Sequence, residues 1–189
     1  MWWAQLLNNI ASLFGTGAVA TSYESIATVT VGAGGSASID FTSIPSTYKH
    51  LQIRGINRDS DAGTNPTNGY VRFNSDSATN YSAHYLLGDG ASATASAGTS
   101  TTGSWHWVIG NGAGANVFAA EIIDILDYAD TNKYKTIRLL SGGDNNGNGR
   151  IFFTSGSWRS TSAITSISLL PSTANFKQYT TYALYGVKG

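Results

Sequence analysis

The sequence predicts an all-β protein: an antiparallel, jelly-roll-like β-sandwich preceded by a short N-terminal amphipathic helix. Three observations support this. From Ser22 onward, apolar residues recur with a period of two in short runs rich in Val, Ile, Thr and Tyr. Clusters of Gly, Asn, Asp or Pro bound each run at close spacing. No later segment shows a helical pattern of strength comparable to that of the opening MWWAQLLNNIASLFG.

In that opening segment Trp3, Leu6, Leu7, Ile10, Leu13 and Phe14 recur at spacings of three and four, which places them on one face of a helix of about four turns. Gln5, Asn8, Asn9 and Ser12 take the other face. With Trp2, the apolar set forms an expected anchoring surface. Gly15 and Gly17 supply a stop, because glycine tolerates the left-handed conformation that ends helices. The expected organisation is an anchoring helix over residues 1–15, a small-residue linker over 16–21 and a sandwich domain over 22–189. The leader lacks a basic n-region, Asn8 and Asn9 interrupt its apolar run, and it is too short to span a bilayer, so neither a signal peptide nor a membrane anchor is expected.

In SYESIATVTVG, Tyr23, Ala27, Val29 and Val31 alternate with Glu24, Ile26, Thr28 and Thr30, and AGGS then reads as a turn into SASIDF, giving an expected hairpin. In the next strand Leu51 and Ile53 face one way and His50, Gln52 and Arg54 the other. DSDAGTNPTNG reads as a loop. Strands are expected in GYVRFN, NYSAHYLLG, SWHWVIG, NVFAAEIIDILDY, KYKTIRLLS, RIFFTSGSW, AITSISLL and FKQYTTYALYGV, roughly ten in all. NVFAAEIIDILDYA fits both periods; its β-branched isoleucines and the DTN turn after it favour strand. GASATASAGTSTTG has no apolar period and reads as a flexible surface loop.

Composition narrows the function. Eleven basic residues balance eleven acidic ones, which removes the attraction that nonspecific binding to nucleic acid or anionic membranes uses. Charged residues are only 12% of the chain, a surface suited to packing against other subunits. The absence of cysteine excludes disulfides, thiolate metal sites and a cysteine nucleophile.

GGDNNGNGR offers the one candidate metal set, Asp144, Asn146 and Asn148, which match the first half of a calcium loop. The match stops at the twelfth position, where Ser155 stands in place of a bidentate Glu, so a hairpin turn is the favoured reading. His50, His84 and His106 lie in three different strands and share no metal-ligand spacing. No G-x-S-x-G elbow supports a serine nucleophile. Glu121, Asp124 and Asp127 are the densest acidic group, yet on a strand the outer two stand about 20 Å apart, too far for a glycosidase pair. No catalytic residue and no cofactor is expected.

Tyr81, Tyr85, Trp105, Trp107, Tyr128 and Trp158 exceed what a small core needs. They can serve as core or intersubunit packing, the favoured reading, or stack on sugar faces in an Asn-rich setting.

SYESIATVTVGAGGSASIDFTSIPSTYKHLQIRGINR, GYVRFN followed by NYSAHYLLGDG, and the closing YTTYALYGVKG resemble a group of virion structural proteins of tailed bacteriophages, notably those infecting cyanobacteria. The resemblance covers nearly all of the chain from Ser22 and carries no catalytic signature. It implies a non-enzymatic virion surface protein made in the host cytoplasm: a capsid decoration or cement protein or short head fibre. The expected partners are further copies, in a homotrimer, and a major capsid or adaptor protein, with the leader as anchor; nucleic acid and membrane are not expected. The alternative is a receptor-binding tail fibre or spike tip that binds host surface glycan through the loops around Asp59 to Gly69 and Gly88 to Gly103.

Overall fold

The computed structural model describes residues 22–189; the helix expected over residues 1–15 and the linker over 16–21 lie outside them. Among the described residues there is no helix, and twelve strands run in order: β1 (Tyr23–Thr30), β2 (Ile39–Phe41), β3 (His50–Asn57), β4 (Pro66–Phe73), β5 (Tyr81–Gly88), β6 (Ala93–Thr101), β7 (Ser104–Ile109), β8 (Ala119–Leu126), β9 (Lys135–Asn145), β10 (Asn148–Trp158), β11 (Ile167–Pro171) and β12 (Thr181–Val187). They form an antiparallel β-sandwich. One sheet has eight strands in the order β1-β12-β3-β8-β9-β10-β5-β6, and the other four in the order β2-β11-β4-β7.

One continuous core lies between the sheets. Leu51, Ile53, Ile123, Ile125, Ile137, Leu139 and Phe152 enter it from the large sheet, and Ile39, Phe41, Val71, Phe73, Ile167 and Leu169 from the small one. The alternation of buried and exposed positions along β8 and β9 is the period-two pattern written in their sequences. Rings fill the widest parts. Trp107 lies flat against Phe152 with centroids 3.6 Å apart, and Phe73, Tyr81 and Trp158 pack together at 5.6 to 6.3 Å.

Two cations taken inside are held by backbone carbonyls. Lys135, fully buried at the start of β9, donates from Nζ to the carbonyls of Asp130, Lys133 and Thr161. Burial lowers its pKa. Arg58 pins the loop between β7 and β8 by donating to the carbonyls of Asn111, Ala113, Gly114 and Val117.

GGDNNGNGR forms the turn between β9 and β10. Asn145 pairs with Asn148, leaving Asn146 and Gly147 as a two-residue loop with φ of 53° and 89°. Two consecutive left-handed residues are the signature of the type I′ turn, whose twist matches the flanking strands. Asp144 Oδ1 accepts the Gly147 N–H at 3.2 Å, which closes the turn.

The expected loop DSDAGTNPTNG is shorter than its sequence suggests, since residues 66–69 open β4, and three further expectations need correction. First, β1 and β2 are not a hairpin: β1 pairs with β12 in the large sheet and β2 with β11 in the small one. The AGGS segment carries the chain between sheets, and Ser36 there pairs with Phe176. Second, a bulge at Ile26 breaks the alternation of β1, so Ile26 and Ala27 both pack on the core. Third, GASATASAGTSTTG is not a loop but contains β6, a nine-residue edge strand paired along β5.

Candidate assembly surface

The central strands of the large sheet are apolar on both sides. While Ile123, Ile125, Leu139 and Phe152 point inward, their neighbours Ile122, Leu140, Ile151 and Phe153 point out. Register then brings the outward set together. Ile122 pairs with Leu140, Leu140 with Phe153 and Phe153 with Leu86, forming one row across β8, β9, β10 and β5. Ile151 adjoins the row beside Gly142 and Gly88. These five side chains are 41 to 56% exposed, so each leaves a large apolar surface in contact with water. A contiguous patch of this kind, unlike scattered single residues, marks an interaction surface.

The row has a polar border. Arg54 Nε donates to Gln52 Oε1 at 2.6 Å, Gln52 Nε2 donates to Asp124 Oδ1 at 2.7 Å, and Arg138 donates to Asp124 Oδ2 at 3.0 Å. The Arg54 guanidinium also lies 5.4 Å from the Tyr23 ring and 5.8 Å from that of Tyr185. The row is thus an uncharged apolar centre beside a hydrogen-bonded charged rim. A shallow trough of about 240 Å³ runs along Ala120, Ile122, Leu140, Gly142 and Ile151. It opens at one end toward a wider cleft of about 470 Å³ floored by glycines and edged by Asp89, Asp144 and Arg150.

The aromatic residues singled out in the sequence lie elsewhere. Tyr81, Tyr128, Trp107 and Trp158 are buried, each with its polar atom satisfied: Trp107 Nε1 donates to Thr154 at 3.0 Å, Trp158 Nε1 to Asp76 at 2.7 Å, and the Tyr128 hydroxyl to the Pro45 carbonyl. Tyr85 and Trp105 are half-buried and lean on each other at 5.8 Å. Trp105 is covered by β6 at Gly98, where any Cβ would sit 2.4 Å from its ring. The anchoring residues Trp2, Trp3, Leu6, Leu7, Ile10, Leu13 and Phe14 lie outside the described residues. The row Ile122, Leu140, Phe153, Leu86 is not evident from the sequence, because runs such as AEIIDIL and RIFF read equally well as strands buried on both faces.

The acidic group separates into three environments. Glu121 points inward, Asp124 belongs to the rim, and Asp127 is held well below the usual carboxylate range, at about 2, by hydrogen bonds from Lys133 and Lys49. Glu121 is the centre of a buried network. It accepts from the Tyr182 hydroxyl at 2.7 Å and the Trp107 backbone N–H at 3.3 Å, and contacts His106 Nδ1 at 3.2 Å. His106 Nε2 reaches the Leu170 carbonyl at 3.0 Å, and Asn57 donates to Tyr182 at 2.7 Å. Burial, then the charge of Glu121, drives the Tyr182 pKa well above its ordinary value. The His106 and Glu121 side chains are fully closed off from solvent, so the network braces the two sheets and presents no reactive atom to a substrate. Among the described residues, no cluster of His, Asp and Glu side chains could hold a metal ion.

Comparison with protein-family models, curated proteins and solved structures gives no significant match.

Proposed function

We propose that this chain is a non-enzymatic structural protein of a tailed-bacteriophage virion: a capsid decoration or cement protein or short head fibre, homotrimeric and held on the particle surface by residues 2–14. In this reading the sandwich is a jelly-roll relative, the leader is an amphipathic helix, and the partner is a major capsid or adaptor protein met after synthesis in the host cytoplasm. The observation that carries it is the apolar row Ile122, Leu140, Phe153 and Leu86, uncharged and open to water. Burying half of each of those side chains and of Ile151 yields on the order of 4–7 kcal/mol before association costs, enough to hold a multivalent assembly together. The 12% charge content and the resemblance of the strand phrases to those of phage virion proteins support the same reading. The glycan-binding alternative has weaker support, because four of its six aromatics are in the core.

The test is association with particles. Antibody against the chain should label gradient-purified virions, and a Leu6→Asp/Ile10→Asp variant should remain folded yet be absent from them. Full-length chain found only in the particle-free lysate would refute the assignment, as would binding on a glycan array that Trp105→Ala abolishes.

A further inference from the structure

We infer that β6 is a contact strand whose partner is the β6 of a second copy of this chain, paired antiparallel across a two-fold axis so that two eight-stranded sheets run on as one. This contact is distinct from the apolar row and goes beyond the assembly reading above.

The two sheets have four outer strands, β1, β6, β2 and β7, and three of these are closed to further pairing. β2 is three residues long. β1 is broken by the bulge at Ile26 and carries Glu24, which accepts from the Tyr48 hydroxyl at 3.0 Å and pairs with Lys188. Side chains fill the open side of β7. The Trp107 N–H goes to Glu121 Oε1 at 3.3 Å, the Trp107 carbonyl accepts from Asn57 Nδ2 at 3.0 Å and Ser141 Oγ at 3.3 Å, and the Ile109 N–H goes to Asn57 Oδ1 at 3.3 Å. Short length, bulges, charge and cover are the means by which sheets avoid pairing at their edges.

β6 has none of these over residues 93–99. They contain no charged residue and no proline, and they pair with β5 in unbroken register; the one irregularity falls at the far end, where Ser100 has a φ of 54°. β5 is the only strand beside β6, and among the described residues no other backbone group bonds to its outer side. Packing does not account for the strand either. Residues 93–97 are all exposed, so both faces of that stretch meet water, and Gly98 against the Trp105 ring ties the following part to the body. A strand so placed, with a row of bare N–H and C=O groups, is completed by one more strand.

The same facts select the occupant. In a second copy β6 is again the outer strand left open among the described residues, so a strand-to-strand contact between copies joins β6 to β6. A two-fold antiparallel pair sets the segment against itself, where any charge would meet its own kind; here Ala, Thr, Ser and Gly meet without such repulsion. The contact is small, well under the roughly 1,200 Å² of stable complexes, so it is weak in dilute solution and is read by trapping.

The absence of cysteine allows a direct test. Full-length chains with one cysteine placed in turn at residues 93–97 are concentrated and mildly oxidised. Because paired residues share a face, the two-fold sets one residue opposite its own copy. The linked dimer should therefore peak at a single position, at least tenfold above Ser172→Cys on the exposed loop after β11, and should persist when Leu140→Asp/Phe153→Asp is added. In the cysteine-free chain, amide exchange over residues 93–99 should slow at least threefold from low to high protein concentration, and Ala97→Lys should abolish the slowing with the melting temperature within a few degrees. Linkage that is even along the strand, no higher than Ser172→Cys, or lost with Leu140→Asp/Phe153→Asp would overturn the contact. So would protection that does not change with concentration, which would mean that the chain covers its own β6. Absence from virions would refute only the virion reading, and particles without linkage only this inference.

Discussion

Leu140 of β9 stands directly across from Phe153 of β10, and both point away from the core while their sequence neighbours Leu139 and Phe152 point into it. Adjacent residues of equal hydrophobicity thus serve different ends. Phe152→Ala is expected to cost about 3–5 kcal/mol in urea unfolding, because it removes the ring that Trp107 stacks on and leaves a cavity. Phe153→Ala, measured at low protein concentration, should stay within about 0.5 kcal/mol of the parent while weakening self-association. Equal losses at both positions would show that the outer row belongs to the fold.

Asp59 gives a pH signature. Burial pushes its carboxyl from 3.8 up to about 6, the nearby Asp61 charge adds to the effect, and the Asp61 N–H partly offsets it. A raised folded pKa makes its stabilising contribution complete below about 3.8 and lost as pH rises through about 6. Asp59→Asn keeps the acceptor for the Asp61 N–H without the charge. Thermal melts at pH 7.5 should find the variant more stable by about 1–3 kcal/mol, with the gap closing between pH 6 and 4. A gap that is constant across this range would contradict the assignment.

The network around Glu121 should be stringent. Glu121→Ala leaves His106 and Tyr182 without their partner and should cost about 3–5 kcal/mol, whereas Tyr182→Phe removes two hydrogen bonds, to Glu121 and from Asn57, and should cost about 1–3. Chemical denaturation reads both; losses below about 1 kcal/mol in each would mean that the network contributes little.

Lys135→Met tests the buried lysine. Three carbonyls lose their donor, so the loop from Asp127 to Tyr134 should exchange its amide hydrogens faster, with an overall loss of about 1–3 kcal/mol. Unchanged exchange in that loop would refute the role.

The sequence exposed most of the fold because most strands bury one face. Leu51 and Ile53 are buried and Arg54 is exposed as the alternation predicts, although Gln52 between them is buried too, and the Asn146-Gly147 turn has a residue signature of its own. The misreadings have a common cause. Nothing in SASIDF reveals which sheet it joins, since sheet membership depends on partners far along the chain. The residues of β6 are small and largely exposed, so it has no apolar period to detect, and its hydrogen bonds to β5 alone define it. The exposed apolar row was hidden for a related reason: each of its residues sits in a strand that is also apolar on its inner face, and only the register of four strands places them side by side. Tyr81, Trp107, Tyr128 and Trp158 followed the favoured packing reading, as large rings are drawn to the core whenever their N–H or O–H finds a partner there.

The central claim is that this sandwich associates through the outer face of its eight-stranded sheet. Light scattering on the full chain and on Leu140→Asp/Phe153→Asp tests it most directly. A trimer mass that falls to that of one 19.9 kDa chain in the variant, with its melting temperature within a few degrees, is the predicted result; a parent chain that is already monomeric at high concentration, or a variant that keeps the parent's mass, would contradict it.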